Sequence, residues 1–147
     1  VGVGEPLFDT LDGDLAKSIF AVPAVKGVEF GKGFRAAQMK GSQNNDAYQI
    51  EKGQVVSPTD NAGGVLGGLS SGMPLIMRVA IKPTPSIAKE QKTVDLRKMN
   101  NAALSVKGRH DPCIVPKAVP AIEAAIAITL ADHMIRAGFI PSVLKRQ

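Results

Sequence analysis

The stretch Gly108-Arg109-His110-Asp111-Pro112-Cys113 sets a guanidinium, an imidazole and a carboxylate in a row between a glycine and a proline. A helix is predicted to start directly after it, at Val115 or Pro116. Polar groups on a stiff turn ahead of a helix N-terminus suit a site that handles anions and protons. Arg109 offers a planar fork of donors that matches phosphate or carboxylate, and Asp111 can accept a proton. The same two side chains could instead form a structural salt bridge. Alternation along the chain turns His110 away from both, which makes it a support for the turn.

Two further segments could meet a ligand. Gly63, Gly64, Gly67, Gly68 and Gly72 crowd the stretch from Asp60 to Gly72. Glycine lets a backbone approach a flat ligand closely and adopt positive φ. The spacing is not that of a dinucleotide fingerprint, and a tight irregular turn is the plain alternative. Lys82-Pro83-Thr84-Pro85-Ser86 follows. Its prolines fix the backbone and preset the Thr84 and Ser86 hydroxyls as donors, while Lys82 supplies a charge for a phosphate. A rigid surface turn would have the same composition.

Other polar residues read as structural. Cys113 is expected to be a small buried residue rather than a nucleophile, because the sequence places no base beside it. His133 lies near the apolar stripe of the last helix and reads as packing or capping. Asp132 and His133 are adjacent, so they point to different helix faces. Asp9, Asp12 and Asp14 resemble a calcium loop only loosely, since the closing glutamate is missing. No His/Cys/Asp/Glu set has metal-ligand spacing.

The elements that must hold these groups mix helix and strand. Glu5 to Phe20 reads as a helix on Leu7, Phe8, Leu11, Leu15 and Ile19, with Pro6 in its first turn and Gly13 as a weak point. Ala24 to Phe34 reads as a strand, with Ala36 to Lys40 continuing it or pairing with it. Gly41 to Asp46 is a loop. Pro74 to Lys82 reads as a buried strand, and Thr93–Leu96 and Ala103–Val106 as short ones. The last helix runs to about Ala137. Its stripe is Val119, Ile122, Ile126, Leu130 and Met134, and Gly138 and Pro141 end it. The fold class is α+β.

Composition narrows the function further. At 147 residues the chain is one domain that can bury a core. One cysteine excludes an internal disulfide and fits a reducing compartment. The longest apolar candidate, Ala118 to Ile135, is interrupted by Pro120, Glu123, Asp132 and His133, so no membrane span is expected. The net charge of +5 is scattered rather than gathered in a Lys/Arg block, and one tyrosine with no tryptophan supplies few base-stacking platforms. Small anionic ligands suit this pattern; nucleic acid does not.

Three segments, Gly2 to Phe34, Asp60 to Ile87 and Gly108 to His133, closely resemble the C-terminal part of chorismate synthase in order and spacing. The resemblance implies an α+β fold, a sandwich of β-sheets and helices. It implies a cytoplasmic homotetrameric lyase that converts 5-enolpyruvylshikimate 3-phosphate to chorismate and phosphate with reduced FMN, which NADPH or another donor keeps reduced. It makes Asp111 the catalytic proton acceptor near the flavin N(5). It assigns Lys82, Pro83, Thr84, Pro85 and Ser86 to the flavin, along with Gly67, Pro23 and Ala24. Many relatives carry another small or polar residue in place of Pro23, so that contact is expected through backbone. Arg109 is implied to contact flavin, substrate or both. The family's chain is more than twice this length. Residues 1–147 are therefore expected to be a single C-terminal portion, without the N-terminal half that holds the family's catalytic histidines. A non-catalytic flavin-binding and oligomerisation fragment is the alternative for this chain.

Overall fold

A computed structural model describes residues 1–141. In chain order its elements are α1 (Leu11–Phe20), β1 (Val25–Phe30), a 3-10 helix (Gly33–Gln38), α2 (Gly41–Asn44), β2 (Gln49–Glu51) and β3 (Gln54–Val56). There follow β4 (Val65–Leu66), β5 (Leu69–Ser70), β6 (Met77–Ile81), β7 (Gln91–Asp95), β8 (Asn100–Leu104) and α3 (Val115–Arg136). The architecture is α+β, as the sequence predicts.

α1 starts later than its apolar spacing suggests. Thr10 is the cap: its Oγ1 accepts the Gly13 N–H at 3.2 Å. A Cβ on Gly13 would stand 2.6 Å from that oxygen, so the glycine lets the cap close. The residues before it are not helical. Gly2 donates to the Ser70 carbonyl and Ser70 donates to that of Val3, both at 2.8 Å, which ties the chain start to β5. Phe8 is 95% exposed, so it belongs to no core stripe. Leu11, Leu15 and Ile19 are fully buried.

β1 and β6 pair antiparallel, from Val25 opposite Ile81 to Phe30 opposite Met77, with a register shift between Val25 and Gly27. Arg78 Nε donates to Glu29 Oε1 at 2.6 Å across the ladder. This bond and the Phe34 N–H hold the Glu29 carboxyl below its ordinary value. The Phe34 contact also starts the 3-10 helix, so Ala36 to Lys40 does not extend the strand. β6 is not fully buried; its residues alternate between half-buried and exposed, because only one face meets α1 and α3. The predicted loop at Gly41 holds one helical turn, closed by Gln43 Oε1 accepting the Lys40 N–H at 3.0 Å.

α3 lies antiparallel to α1. Its early residues Ala118 and Ile122 pack with Ile19 and Val25, and its later residues Ile126 and Leu130 pack with Leu11, Leu15 and Val65. Of its predicted stripe, Val119 stays 44% exposed, so the seam is narrower than the periodicity suggests. By length and composition alone, α3 is apolar enough to cross a membrane, a test that core helices also pass. Here it packs along α1.

The core is small. The chain exposes 11108 Å² of accessible surface, against about 7,200 Å² for a compact monomer of this size. Leu96 (77%), Met99 (82%) and Ile128 (71%) are among the apolar residues left outside.

Candidate functional site

The β1–β6 ladder decides which candidate residues meet. β1 begins directly after Pro23-Ala24, and β6 ends directly before Lys82. The Lys82 N–H donates to the Ala24 carbonyl at 2.8 Å, so two segments far apart in sequence share one rung. Ala24 sits at φ 73°, in the left-handed region. That conformation costs a residue with a Cβ about 1 kcal/mol, and strain of this kind gathers at ligand sites. Pro83, Pro85 and Ser86 are exposed, while Thr84 turns inward. Its Oγ1 is buried and has no hydrogen-bond partner among the described residues. A buried hydroxyl without a partner is costly unless something else meets it.

α3 carries the third segment to the same end. The turn from Gly108 to Cys113 leads directly into the helix start that packs beside Ile19 and Val25. His110 Nε2 donates to the Val106 carbonyl at 2.9 Å and closes this turn, in keeping with a supporting role. Arg109 does not pair with Asp111. The partner of Asp111 is Lys117, whose Nζ lies 2.5 Å from Oδ2. Among the described residues, neither Arg109 nor Lys82 forms an ion pair. Sequence reasoning missed Lys117. The available signal was a cation in the first turn of a helix, where the macrodipole disfavours it. Cys113 is exposed rather than buried, because the turn holding it lies outside both apolar clusters.

Gly67 stands elsewhere. It forms the β4–β5 turn with Gly68, both at positive φ (57° and 83°), as tight hairpins require. A Cβ on Gly68 would lie 2.6 Å from the Glu5 carbonyl oxygen, whereas one on Gly67 would meet nothing within 4 Å. The Gly67 face is thus open to a close-approaching ligand. The Gly68 carbonyl accepts the Leu11 N–H, which places this turn at the start of α1. The Ala24–Lys82 rung lies beyond its end. Ten helical residues separate them, about 15 Å at 1.5 Å per residue.

The charges at the Gly67 end pair with one another. His133 is 1% exposed and its Nε2 donates to Asp14 Oδ2 at 3.0 Å, a packing role as predicted. Arg136 reaches Asp9 at 3.0 Å and Asp132 at 2.5 Å. Asp12 accepts the Gly13 N–H. The calcium-like spacing of Asp9, Asp12 and Asp14 therefore resolves into contacts around α1. Among the described residues no three His, Cys, Asp or Glu side chains could hold a metal ion.

What converges at the other end is a buried donor, a strained backbone, two cations without an ion pair among the described residues, and one carboxylate. That set fits a ligand with phosphate and carboxylate groups and a proton to give up, a flavin mononucleotide with an anionic substrate included.

A family model described as chorismate synthase matches residues 1–135. The chain is 58% identical over 146 residues to a chorismate synthase of Dehalococcoides mccartyi (strain BAV1), covering 99% of this chain and 40% of that one. It is 56% identical over 143 residues to the chorismate synthase of Archaeoglobus fulgidus, covering 97% and 40%. A crystal structure of chorismate synthase superposes with a TM-score of 0.71 at 32% identity, covering 92% of this chain and 34% of that one. The chain spans about 40% of the length of the curated relatives it matches. With nearly all of its residues accounted for by these matches, the chain belongs to the chorismate synthase family.

Proposed function

We propose that this chain, in the context of the family's full length, converts 5-enolpyruvylshikimate 3-phosphate to chorismate and phosphate by a 1,4-elimination that uses reduced FMN. The observation that carries this reading is the meeting of Ala24, Lys82–Ser86 and the Arg109–Asp111 turn at one end of α1. The reaction breaks an allylic C–O bond and a C–H bond across a ring. Reduced flavin, when bound, supplies the electron density that promotes loss of phosphate. Lys82 and Arg109, both without ion-pair partners among the described residues, stabilise charge on the departing phosphate. Asp111 takes up a proton at Oδ1, because Lys117 holds Oδ2. Thr84 donates its otherwise unpartnered hydroxyl, preset by Pro83 and Pro85. Ser86 adds a second hydroxyl, and Pro23 and Ala24 contribute backbone. Within one copy, Gly67 reaches only the far end of a flavin held at Lys82. The exposed apolar residues support burial against further protein surface; the cytoplasmic homotetramer is carried over from the family resemblance.

The test is Asp111→Asn in the full-length enzyme, assayed anaerobically with reduced FMN. Turnover is expected to fall by about 10²-fold or more, while flavin affinity changes little. Equal losses in both would sink the proton-accepting role. A second reading is a flavin-binding and assembly module without turnover of its own, which the 40% coverage of the relatives fits only loosely. It predicts that this chain alone shifts the flavin spectrum but forms no chorismate and releases no phosphate.

A further inference from the structure

We propose that Lys117 is the positioning residue of Asp111, an inference that rests on the proton-accepting role of that carboxylate. Lys117 lies in the first turn of α3. A cation is out of place there, since the helix dipole and its unbonded N–H groups favour an anion. The first turn contains no acidic residue, and the N-cap Ile114 makes no side-chain bond. Packing does not demand the lysine either, because its side chain is 70% exposed. A residue that breaks a local rule without a packing reason marks a functional place.

The geometry supplies the reason. Asp111 stands shortly before the helix start, where a free carboxylate would swing onto the α3 amides as an ordinary cap. Lys117 Nζ instead captures Oδ2 at 2.5 Å. Among the described residues, Oδ1 then has no partner. One oxygen is tethered and the other is presented, which is what a proton acceptor of fixed orientation needs.

The experiment uses the full-length enzyme with Lys117→Met, Lys117→Arg, Asp111→Asn and the Met/Asn double variant. Lys117→Met is expected to lower kcat by about 10- to 100-fold, with substrate KM and reduced-FMN Kd held within about twofold. Lys117→Arg, which keeps the tether, restores most of the rate. In the Asp111→Asn background the methionine adds almost nothing, because the two residues act as one unit. Losses that multiply in the double variant overturn the proposal. So does a raised KM at unchanged kcat, which would make Lys117 a substrate-binding cation. An Asp111→Asn enzyme with full kcat removes the reading beneath it, and that outcome is distinct from either of the others.

Discussion

The two ends of the α1–α3 pair carry the same kinds of charged residue to opposite effect. At the end where α1 begins, Asp9, Asp14 and Asp132 pair with Arg136 and His133. At the end where α3 begins, Lys82 and Arg109 form no ion pair among the described residues, and Asp111 is held by one oxygen. Charge alone therefore does not mark a site. Closed pairs fasten helices, and the charges left open are those a ligand can complete.

The comparison can be broken most sharply at the open end. Arg109→Ala in the full-length enzyme is expected to lower kcat/KM by about 10²- to 10³-fold while the melting temperature stays where it was. A matching loss of stability would make Arg109 a structural residue. At the closed end the pattern reverses. His133→Ala leaves Asp14 short of a donor beside a buried void, and costs about 2 kcal/mol in urea unfolding, with reduced-FMN affinity unchanged. A change in affinity without a loss of stability would erase the contrast between the ends.

A milder effect concerns the loop clip beside the closed end. Asp46 accepts from Thr59 Oγ1 at 2.7 Å and from the N–H groups of Asn61 and Ala62 at 2.8 and 2.9 Å. Burial pushes its carboxyl up, but these donors outweigh burial and hold it below its ordinary value. Its stabilising contribution is therefore present above the unfolded value of about 4 and is lost as pH falls through the lower folded value. Acid titration of stability should show that loss, and Asp46→Asn should flatten it. The smallest effect is expected at Arg136, where half-exposed pairs are weak and screened. Arg136→Ala shifts the urea midpoint least, and high salt removes the shift. A shift that survives salt would mean that Arg136 fastens the helices as firmly as His133 does.

The sequence made some of this legible. The start of α3 was readable because Pro116 suits a first turn and a continuous apolar period follows. Its end was readable from Gly138, which takes φ 76° just past the last turn. The start of α1 was not, because Leu7 and Phe8 continue the period although the chain there is tied to β5 through Gly2, Val3 and Ser70. Periodicity cannot report a backbone bond made across sixty-odd residues. The same limit hid the grouping of the candidate residues. Family motifs named Ala24, Lys82 and Asp111, but only the β1–β6 register and the antiparallel seat of α3 bring them together. Gly67 shared a motif reading with them and lies at the other end. The Lys117–Asp111 bond needed the helix turn itself before it could be seen.

The large exposed surface of this chain has a thermal consequence. The heat-capacity change of unfolding follows the apolar area that folding hides. A chain whose fully buried apolar side chains come down to a few residues such as Leu11, Leu15 and Ile19 hides little. Its stability should vary with temperature along a shallow arc, and calorimetry on it alone should record a small, broad transition. When that apolar surface is covered, the same residues should give a taller and more sharply curved profile.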